Sequence, residues 1–346
     1  MFTQQIRKEH SMKPSELIQA LFYAAKANRP TIIWGDPGIG KSHIVYHVAK
    51  KLLKKKLYEF RATLLDPVDL RGLMEIKNGR TVWAPPIFLP TKPNGVLFID
   101  ELPTAPPLVQ AALYQLVWGG KLGEYELPED TIIICAGNNE NNRAAVNRMP
   151  TPLANRFIHL FLEVSFEEWI EWAIQNGLAI EVIAFIRFRQ ALLSTFDPKN
   201  LEKAFASPRS WEFASDIIKQ KPRKDILIHL LRGTVGKNVA EELYGFLEDW
   251  ELLPDPIKIM THPSKAEIPE KPSVLYAVIQ ALAKMVNKNT MQNFLEYANR
   301  LRENGKSEFA MAMITDALSR DSSLKESSAY IKGWFAKNSD LYVQTR

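Results

Sequence analysis

The stretch that decides the fold is "TIIWGDPGIGKSHIV", residues 31–45. It joins a short apolar run to a glycine-rich turn and then to a segment whose apolar residues have helical spacing. Gly35, Gly40, Lys41 and Ser42 match the pattern G-x-x-x-x-G-K-[ST] in full. Glycines let backbone N–H groups curve inward around phosphate oxygens, and the N-terminus of the following helix adds a favourable dipole. The stretch therefore predicts a phosphate-binding loop between a strand and a helix.

The residues of this loop have distinct predicted contacts with a nucleotide. We expect Lys41 to reach the β- and γ-phosphates and the Ser42 hydroxyl to ligate Mg²⁺. The other loop residues supply backbone groups around the phosphates. The predicted nucleotide-binding residues are Gly35, Asp36, Pro37, Gly38, Ile39, Gly40, Lys41, Ser42, His43 and, from a later strand, Asp100.

Two later apolar runs end in polar residues that suit phosphate chemistry. The run "VLFIDE" at residues 96–101 predicts a buried strand with Asp100 at its carboxyl end, where a carboxylate holds Mg²⁺. Glu101 follows at once and can polarise a water for in-line attack on the γ-phosphate, so the pair favours hydrolysis. The run "TIIICAG" at residues 131–137 precedes Asn138, whose amide can hydrogen-bond both the γ-phosphate and the attacking water. A plain Asn-rich turn is the alternative for Asn138.

The order of helical and strand-like segments predicts the fold class. Up to about residue 165, apolar strands alternate with helices, which favours a parallel sheet covered on both faces. Beyond that point the pattern is helical, interrupted by an irregular segment at 251–273 that contains five prolines. Predicted helices of the first half span residues 14–28, 41–54 and 106–118. A hairpin is predicted at 72–83, around Asn78-Gly79, and a second hairpin or a protruding loop at 119–130.

Composition and charge narrow the class of protein. The chain has 346 residues, a net charge of +5 and a single cysteine, Cys135, so no disulfide can form within it. No apolar run reaches the ~18 residues of a membrane helix, and the N-terminus lacks the apolar core of a secretory signal. We therefore expect a cytoplasmic protein without membrane insertion. The basic run "KKLLKKK" at residues 50–56 is typical of a solvated helix end, and contact with nucleic acid is the alternative.

Five motifs, taken in order, resemble those of a known family. "GDPGIGKS" (35–42), "LFIDE" (97–101), "AGNN" (136–139), "PLANRF" (152–157) and "SPRSW" (207–211) resemble the motifs of AAA+ ATPases over roughly residues 14 to 250. The first two are shared by P-loop NTPases in general, and the last three, with their spacing, are typical of AAA+ proteins. "DPVDLRGLMEIKNGRTVWAPP" (66–86) is similar to the helix-2 insert of MoxR-like, dynein-related members.

The resemblance implies a role for individual residues. Asn138 matches the sensor-1 position of the family. Arg156 matches the arginine finger that projects into the nucleotide site of the next subunit; Arg143 and Arg148 are its nearest rivals, and a cation at a helix C-terminus is the structural alternative. Arg209 matches sensor 2 on the helical lid, with an exposed residue of a first helical turn as the alternative. The implied catalytic set is Glu101, Lys41, Asn138, Arg156 and Arg209, with ATP and Mg²⁺ as cofactors and Ser42 and Asp100 as the metal ligands.

The resemblance also implies the domain organisation. A P-loop NTPase core with three αβα layers and a parallel sheet is expected in residues 1–164. It would contain the helix-2 insert at about 70–90 and a hairpin before sensor 1 at about 119–130. A helical lid with sensor 2 would follow in residues 165–252, and a Pro-rich connector with a helical C-terminal extension in residues 253–346.

The implied function is hydrolysis of ATP at the subunit interfaces of a homo-oligomeric, hexameric ring. MoxR-like proteins use it to remodel or mature a partner protein, in a chaperone-like role and often with a von Willebrand factor A domain protein. A nucleic-acid motor or loader is the alternative, and a nucleotide-dependent scaffold a third. Apolar side chains in or just after the segments at 72–83 and 119–130 would either touch a protein client or pack onto the core: Met74, Trp83, Ile87, Tyr125 and Leu127.

Overall fold

The structure is a computed structural model that describes residues 11–138, 149–200, 202–251, 253–321, 323–324 and 333–334 of the chain. The chain divides into two compact units. The first comprises residues 1–165 and 196–201, and the second comprises residues 166–195 and 202–346. In the part of the chain that the structure describes, no helix combines the length and the apolar character needed to cross a lipid bilayer.

The first unit is built on a parallel sheet, as the sequence predicts. Its described strands are β1 (Ser11–Met12), β2 (Thr31–Trp34), β3 (Lys56–Arg61), β4 (Leu73–Lys77), β5 (Arg80–Ala84), β6 (Gly95–Asp100), β7 (Lys121–Leu122), β8 (Tyr125–Glu126), β9 (Ile132–Gly137) and β10 (Ile158–Leu162). The sheet has the strand order β1-β10-β2-β9-β6-β3, and every neighbouring pair is parallel. The sequence pattern did not predict β1 or β10, and β10 extends the sheet on the far side of β2 from β9.

The central strands are buried on both faces. Every residue of β2 and β9 is buried, as is all of β6 except its last residue, Asp100. Successive residues alternate between two apolar clusters: Ile32 and Trp34 belong to one, and Ile33 belongs to the other. This alternation follows from the two-residue period of a strand and explains why the strands read as continuous apolar runs.

Helices cover both faces of this sheet and complete the three layers. The described helices are α1 (Pro14–Lys26), α2 (Lys41–His47), α3 (Pro67–Arg71), α4 (Pro107–Gly119) and α5 (Thr151–Ala154). Leu17 and Leu21 of α1 pack in the cluster with Ile33, whereas Leu113 and Leu116 of α4 pack in the cluster with Trp34. The helix predicted at residues 41–54 is α-helical only to His47 and continues as a π-helical turn at Val48–Leu52.

The hairpin predicted at 72–83 is confirmed, and the segment at 119–130 contains a second hairpin. Strands β4 and β5 pair antiparallel around Asn78 and Gly79, and β7 pairs antiparallel with β8. Asn78 and Gly79 have φ values of 55° and 70°, as a two-residue hairpin turn of the right twist requires. At the base of the first hairpin, a Cβ on Gly72 would lie 2.0 Å from the carbonyl oxygen of Ala84, so the backbones approach too closely for a side chain.

The second unit is helical. Its described helices are α6 (Phe166–Gln175), α7 (Ile180–Phe188), α8 (Pro208–Lys219), α9 (Lys224–Val235), α10 (Lys237–Glu251), α11 (Pro256–Thr261), α12 (Pro272–Met285), α13 (Met291–Glu303) and α14 (Ser307–Arg320). Helix α12 packs against α7 and α14, so helices from both sides of the Pro-rich segment share one compact unit. That segment itself contains α11, which Asp255 caps by accepting a hydrogen bond from the backbone N–H of Ile257 at 2.9 Å.

A buried ionic network joins three helices of the second unit. The carboxylate of Asp316 on α14 is fully buried and accepts hydrogen bonds from Arg187 on α7 and Gln280 on α12. Arg320 donates to the side-chain oxygen of Gln280 at 3.3 Å. Burial raises the pKa of the Asp316 carboxyl, and the charge of Arg187 opposes that rise.

Removing the buried carboxylate is expected to destabilise the second unit. Asp316→Ala leaves Arg187 with an uncompensated charge in a site where its side chain is only 13% exposed. Loss of one partner from a buried ion pair costs about 3–5 kcal/mol. Urea titration followed by helical circular dichroism should show a clearly lower midpoint. Asp225→Ala removes the carboxylate of an exposed pair with Arg223 and is the matched control; equal shifts in both variants would contradict the assignment.

Candidate functional site

The candidate site lies where four neighbouring strands end. Strands β2, β9, β6 and β3 are adjacent and parallel, so their carboxyl ends meet at one edge of the sheet. The predicted phosphate loop follows β2, Asn138 follows β9, and Asp100 is the last residue of β6. The strand order therefore brings together segments that lie about a hundred residues apart in the sequence.

The loop between β2 and α2 needs glycine at its two ends for different reasons. A Cβ on Gly35 would lie 2.6 Å from the Cδ1 atom of Ile39 and 3.1 Å from the backbone oxygen of Leu162. Gly40, by contrast, has open space around it but a φ of 100°, which L side chains rarely adopt. Between them, Ile39 is buried, and Asp36, Pro37 and Gly38 are half-buried. His43 lies exposed in the first turn of α2.

Lys41 is the buried cation of the site. Its side chain reaches back over the loop, and its Nζ atom donates hydrogen bonds to the backbone oxygens of Gly35 at 2.8 Å and Asp36 at 2.9 Å. It also donates to the side-chain oxygen of Asn138 at 3.0 Å. The residue is 9% exposed. The structure thus brings together Lys41 and Asn138, which the sequence selected independently for contact with a γ-phosphate.

Ser42 and Asp100 form the adjacent pair of oxygen donors. The Ser42 hydroxyl lies 3.5 Å from the Oδ2 atom of Asp100, and the Oδ1 atom accepts the backbone N–H of Glu101 at 3.0 Å. Burial raises the pKa of the Asp100 carboxyl, while the hydrogen bond from Glu101 lowers it. Hydroxyl and carboxylate oxygens are hard ligands, and Mg²⁺ takes few ligands from the protein and the rest from phosphates and water. The donor set therefore fits Mg²⁺.

Glu101 is held in an unusual backbone conformation. Its φ of 57° is left-handed, which is uncommon for a residue with a side chain and is often found at functional sites. The Thr104 hydroxyl donates to its backbone oxygen at 2.9 Å, and the Thr63 hydroxyl donates to its Oε2 atom at 2.6 Å. The Glu101 carboxylate is therefore oriented by a hydroxyl from the segment that follows β3.

Thr63 is a site residue that the sequence analysis missed. It lies just after β3, whose last residue, Arg61, pairs in register with Asp100 of β6. The available signal was a hydroxyl directly after a strand. That signal is weak, because only the strand order places the end of β3 beside the end of β6.

Gly137, directly before Asn138, is packed closely against two neighbouring segments. A Cβ on Gly137 would lie 2.5 Å from the Cγ atom of Pro103 and 3.3 Å from the Cζ3 atom of Trp34. Pro103 belongs to the short turn after Glu101, and Trp34 is the last residue of β2. Gly137 therefore lets three strand ends pack together.

Arg156 lies outside the group around Lys41. It follows α5, and it is exposed between the buried anchors Leu153 and Phe157. Its guanidinium carbon lies 5.6 Å from the centre of the ring of Trp118, on α4. The rival arginines, Arg143 and Arg148, fall outside the described residues.

A hydrogen-bonded histidine ties the arginine segment to the phosphate loop. The indole N–H of Trp34, next to Gly35, donates to the Nδ1 atom of His159 at 2.9 Å. The Nε2 atom of His159 lies 2.8 Å from the backbone oxygen of Ala154, the last residue of α5. Only a neutral ring with its proton on Nε2 satisfies both bonds. The sequence analysis did not select His159.

Arg209 belongs to the second unit. It is exposed in the first turn of α8, directly after Pro208. Ser207 caps that helix, because its hydroxyl accepts the backbone N–H of Ser210 at 3.2 Å. The sequence motif "SPRSW" is thus a well-formed helix start that presents an arginine.

The two hairpins of the first unit differ in how their apolar residues are placed. Met74, in the first hairpin, is 63% exposed, and Ile87, just after that hairpin, is 96% exposed. Trp83 is half-buried beneath the guanidinium of Arg71 at 5.5 Å. In the second hairpin, Tyr125 donates its hydroxyl to the backbone oxygen of Pro90 at 2.6 Å and, like Leu127, packs against the core.

Comparison with known proteins bears on the first unit. Residues 30–157 match the model of the AAA domain, dynein-related subfamily. This range contains the phosphate loop, Asp100, Glu101, Asn138 and Arg156. No curated protein sequence matches the chain significantly.

Matches among solved structures have low sequence identity and low TM-scores. A candidate ATPase from Cytophaga hutchinsonii is 14% identical, with 84% of this chain and 78% of the other covered and a TM-score of 0.39. A point mutant of RuvB from Thermotoga maritima is 15% identical, with 81% and 83% covered and a TM-score of 0.38. NtrX from Brucella abortus is 12% identical, with 94% and 67% covered and a TM-score of 0.36.

The family model spans four of the five motifs, from the phosphate loop to the segment that contains Arg156. The match agrees with the resemblance seen in the sequence motifs from "GDPGIGKS" to "PLANRF". Residues 30–157 are therefore an AAA domain of the dynein-related subfamily.

Proposed function

We propose that the protein binds and hydrolyses ATP at the carboxyl edge of its parallel sheet. The observation that carries this proposal is the hydrogen bond of 3.0 Å from the Nζ atom of Lys41 to the side-chain oxygen of Asn138. The pair formed by Ser42 and Asp100 follows at the same edge of the sheet. A buried cation, an amide and two oxygen donors for a metal are the groups that a nucleoside triphosphate requires. Glu101, at the same edge, supplies the base that distinguishes a hydrolase from a binding protein.

Each residue has one task in the proposed reaction. Lys41 would turn its ammonium from the loop carbonyls to the β- and γ-phosphate oxygens. Ser42 and Asp100 would hold Mg²⁺, which when bound neutralises charge on those oxygens. Glu101 would accept a proton from the attacking water, with its carboxylate oriented by Thr63, and the Asn138 amide would position that water.

We propose that Arg156 completes the site of a neighbouring copy. Its exposure and its separation from the Lys41 group support action in trans, because the guanidinium is presented to the outside of its own subunit. An arginine supplied in trans is worth about 10³–10⁵ in rate. A contact between unlike faces of identical subunits gives a ring when the rotation between them closes, and the MoxR-like resemblance implies a closed ring of six subunits.

We propose that Arg209 senses the nucleotide from the second unit. A cation in the first turn of a helix opposes the helix dipole, so Arg209 does not serve the stability of α8. The capped start of α8 holds its backbone in place. The family position, sensor 2 on a helical lid, is consistent with contact to the phosphates when a nucleotide is bound.

The proposed outcome of hydrolysis is remodelling of a protein partner, as in MoxR-like proteins. The first hairpin supports a protein-contacting role, because large apolar side chains stand exposed on it and beside it: Leu73 at 78%, Met74 at 63%, Ile76 at 79% and Ile87 at 96%. The von Willebrand factor A domain partner rests on the resemblance alone.

A nucleic-acid motor is the second candidate, and one observation favours it. Lys50, Lys51 and Lys54 are exposed at the end of the π-helical turn, and the Lys50 ammonium lies 5.2 Å from the ring centre of Tyr46. Cations interleaved with an exposed aromatic ring suit a single strand of nucleic acid. Turnover stimulated by DNA or RNA with a steep salt dependence would favour this candidate, and stimulation by a captured protein would favour remodelling.

Replacing the proposed base is expected to separate binding from turnover. Glu101→Gln retains the size and the hydrogen-bonding capacity of the side chain but cannot accept the proton, so phosphate release should fall by about 10²–10⁴. ATP affinity, measured by equilibrium binding, should stay within a few-fold. Glu59→Gln, at an exposed position of β3, is the matched control. Undiminished phosphate release by Glu101→Gln would remove Glu101 from this role.

Mixed assemblies test whether the site is shared between subunits. Arg156→Ala subunits keep an intact pocket and Lys41→Ala subunits keep an intact Arg156, so a mixture regains turnover that neither variant has alone. Phosphate release should rise with the proportion of Lys41→Ala added to Arg156→Ala. Arg29→Ala, at another exposed arginine of the first unit, should retain full activity unmixed. Absence of recovery at every ratio, with co-assembly verified by light scattering, would contradict action in trans.

A further inference from the structure

Trp118 and Arg156 form a contact that the proposed reaction leaves unassigned. The guanidinium carbon of Arg156 lies 5.6 Å from the centre of the Trp118 ring, within the range of a cation–π interaction. Trp118 is 61% exposed, and its ring is parallel to that of Tyr114, one turn earlier, with centroids 6.3 Å apart. A large indole kept at the surface on a helix with many buried apolar positions costs hydrophobic stabilisation, so core packing does not account for it.

The backbone of Arg156 and its guanidinium are held by different contacts. On one side, Leu153 and Phe157 bury the backbone around Arg156, and His159 holds the end of α5 through Ala154. These contacts fix the Cα position of Arg156 but leave its long side chain free to sample rotamers. On the other side, Trp118 meets the guanidinium itself. The aromatic face is therefore the group that restricts where the charge of Arg156 lies.

Helix α4 is well suited to carry this support. Its base is tied to the turn after Glu101, because the Gln110 side chain donates to the backbone oxygens of Pro103 at 3.2 Å and Ala105 at 3.0 Å. At 1.5 Å per residue, the helix places Trp118 about 16 Å along its axis from its first residue, Pro107. Val109, Leu113 and Leu116 are buried along it, so the helix is a firm base for the indole.

We propose that Trp118 is a positioning residue for Arg156, and that its indole face holds the guanidinium in the pose presented to the neighbouring subunit. This inference rests on the proposed function, since it presumes that Arg156 acts in trans. Trp118 touches neither the nucleotide nor the metal ligands of its own subunit in this scheme. Its effect therefore belongs to the subunit that donates the arginine, and not to the subunit whose pocket binds ATP.

A mixed assembly allows Trp118 to be changed separately in the donor, which supplies Arg156, and in the acceptor, whose pocket binds ATP. In a mixture of Arg156→Ala acceptors with excess Lys41→Ala donors, all turnover comes from an acceptor pocket and a donor arginine. Adding Trp118→Leu to the donor should lower the restored kcat by about 2–5-fold, the worth of a surface cation–π contact, with KM for ATP unchanged. Adding Trp118→Leu to the acceptor should leave the restored kcat unchanged. Trp118→Phe in the donor should recover part of the loss, because phenylalanine keeps an aromatic face.

Each remaining outcome overturns the inference. A loss that follows the acceptor would place Trp118 in its own pocket, and no loss in either subunit would remove it from the reaction. No recovery in the reference mixture without any change at Trp118 would overturn the shared site itself, and the inference with it. Leu108→Ala in the donor, on the same helix and 71% exposed, is the matched control and should have no effect. Where Trp118→Leu alters assembly by light scattering, Trp118→Phe serves in both positions, with a smaller loss expected in the donor alone.

Discussion

The ammonium of Lys41 is held by oxygens that belong to two different strand ends, the loop after β2 and Asn138 after β9. That arrangement requires β2 and β9 to be adjacent and to end at the same level. It also requires Gly137, because any side chain there would collide with Pro103 and hold the strand ends apart. Since Pro103 belongs to the turn directly after Glu101, the same contact ties the segment of the proposed base to the end of β9. The chemistry of the site thus depends on how closely three parallel strands can approach at one edge.

Sequence alone could select the residues that belong to a local pattern, either a continuous motif or the end of an apolar run. Gly35, Gly40, Lys41 and Ser42 lie in one continuous motif, and Asp100 with Glu101 directly follows an apolar run. Thr63 and His159 could not be found in this way, because each acts through a neighbour fixed by strand order: β3 beside β6, and β10 beside β2. Strand β10 itself was missed for a different reason: its first two residues are exposed, so it does not read as the fully buried apolar run that marks β2, β6 and β9.

The hairpins show a second limit of sequence patterns. Their apolar residues fit a core or a contact surface equally well, since hydrophobicity does not state which neighbour covers a side chain. The structure separates them: the Tyr125 hydroxyl reaches the backbone of Pro90 and draws the second hairpin onto the core, whereas Met74 and Ile87 remain exposed. Exposure of several large apolar groups in one short segment is costly for an isolated subunit. Such a surface is expected where the cost is offset by a partner, which is why this hairpin supports a protein-contacting role.

In the proposed shared site Arg156 presents the opposite problem, because its charged side chain would stay in water until a neighbouring subunit binds. An exposed arginine has about 2 kcal/mol of rotamer entropy to lose when it docks against a transition state, and that loss subtracts from the electrostatic stabilisation it provides. A stack on Trp118 is worth only about 0.5–1 kcal/mol at an exposed position, too little to bury or trap the guanidinium. It is enough, however, to restrict the side chain beforehand and so to reduce the entropy lost on docking. A weak contact is therefore the appropriate kind here, because a stronger one, such as a carboxylate partner, would compete with the phosphates for the same charge.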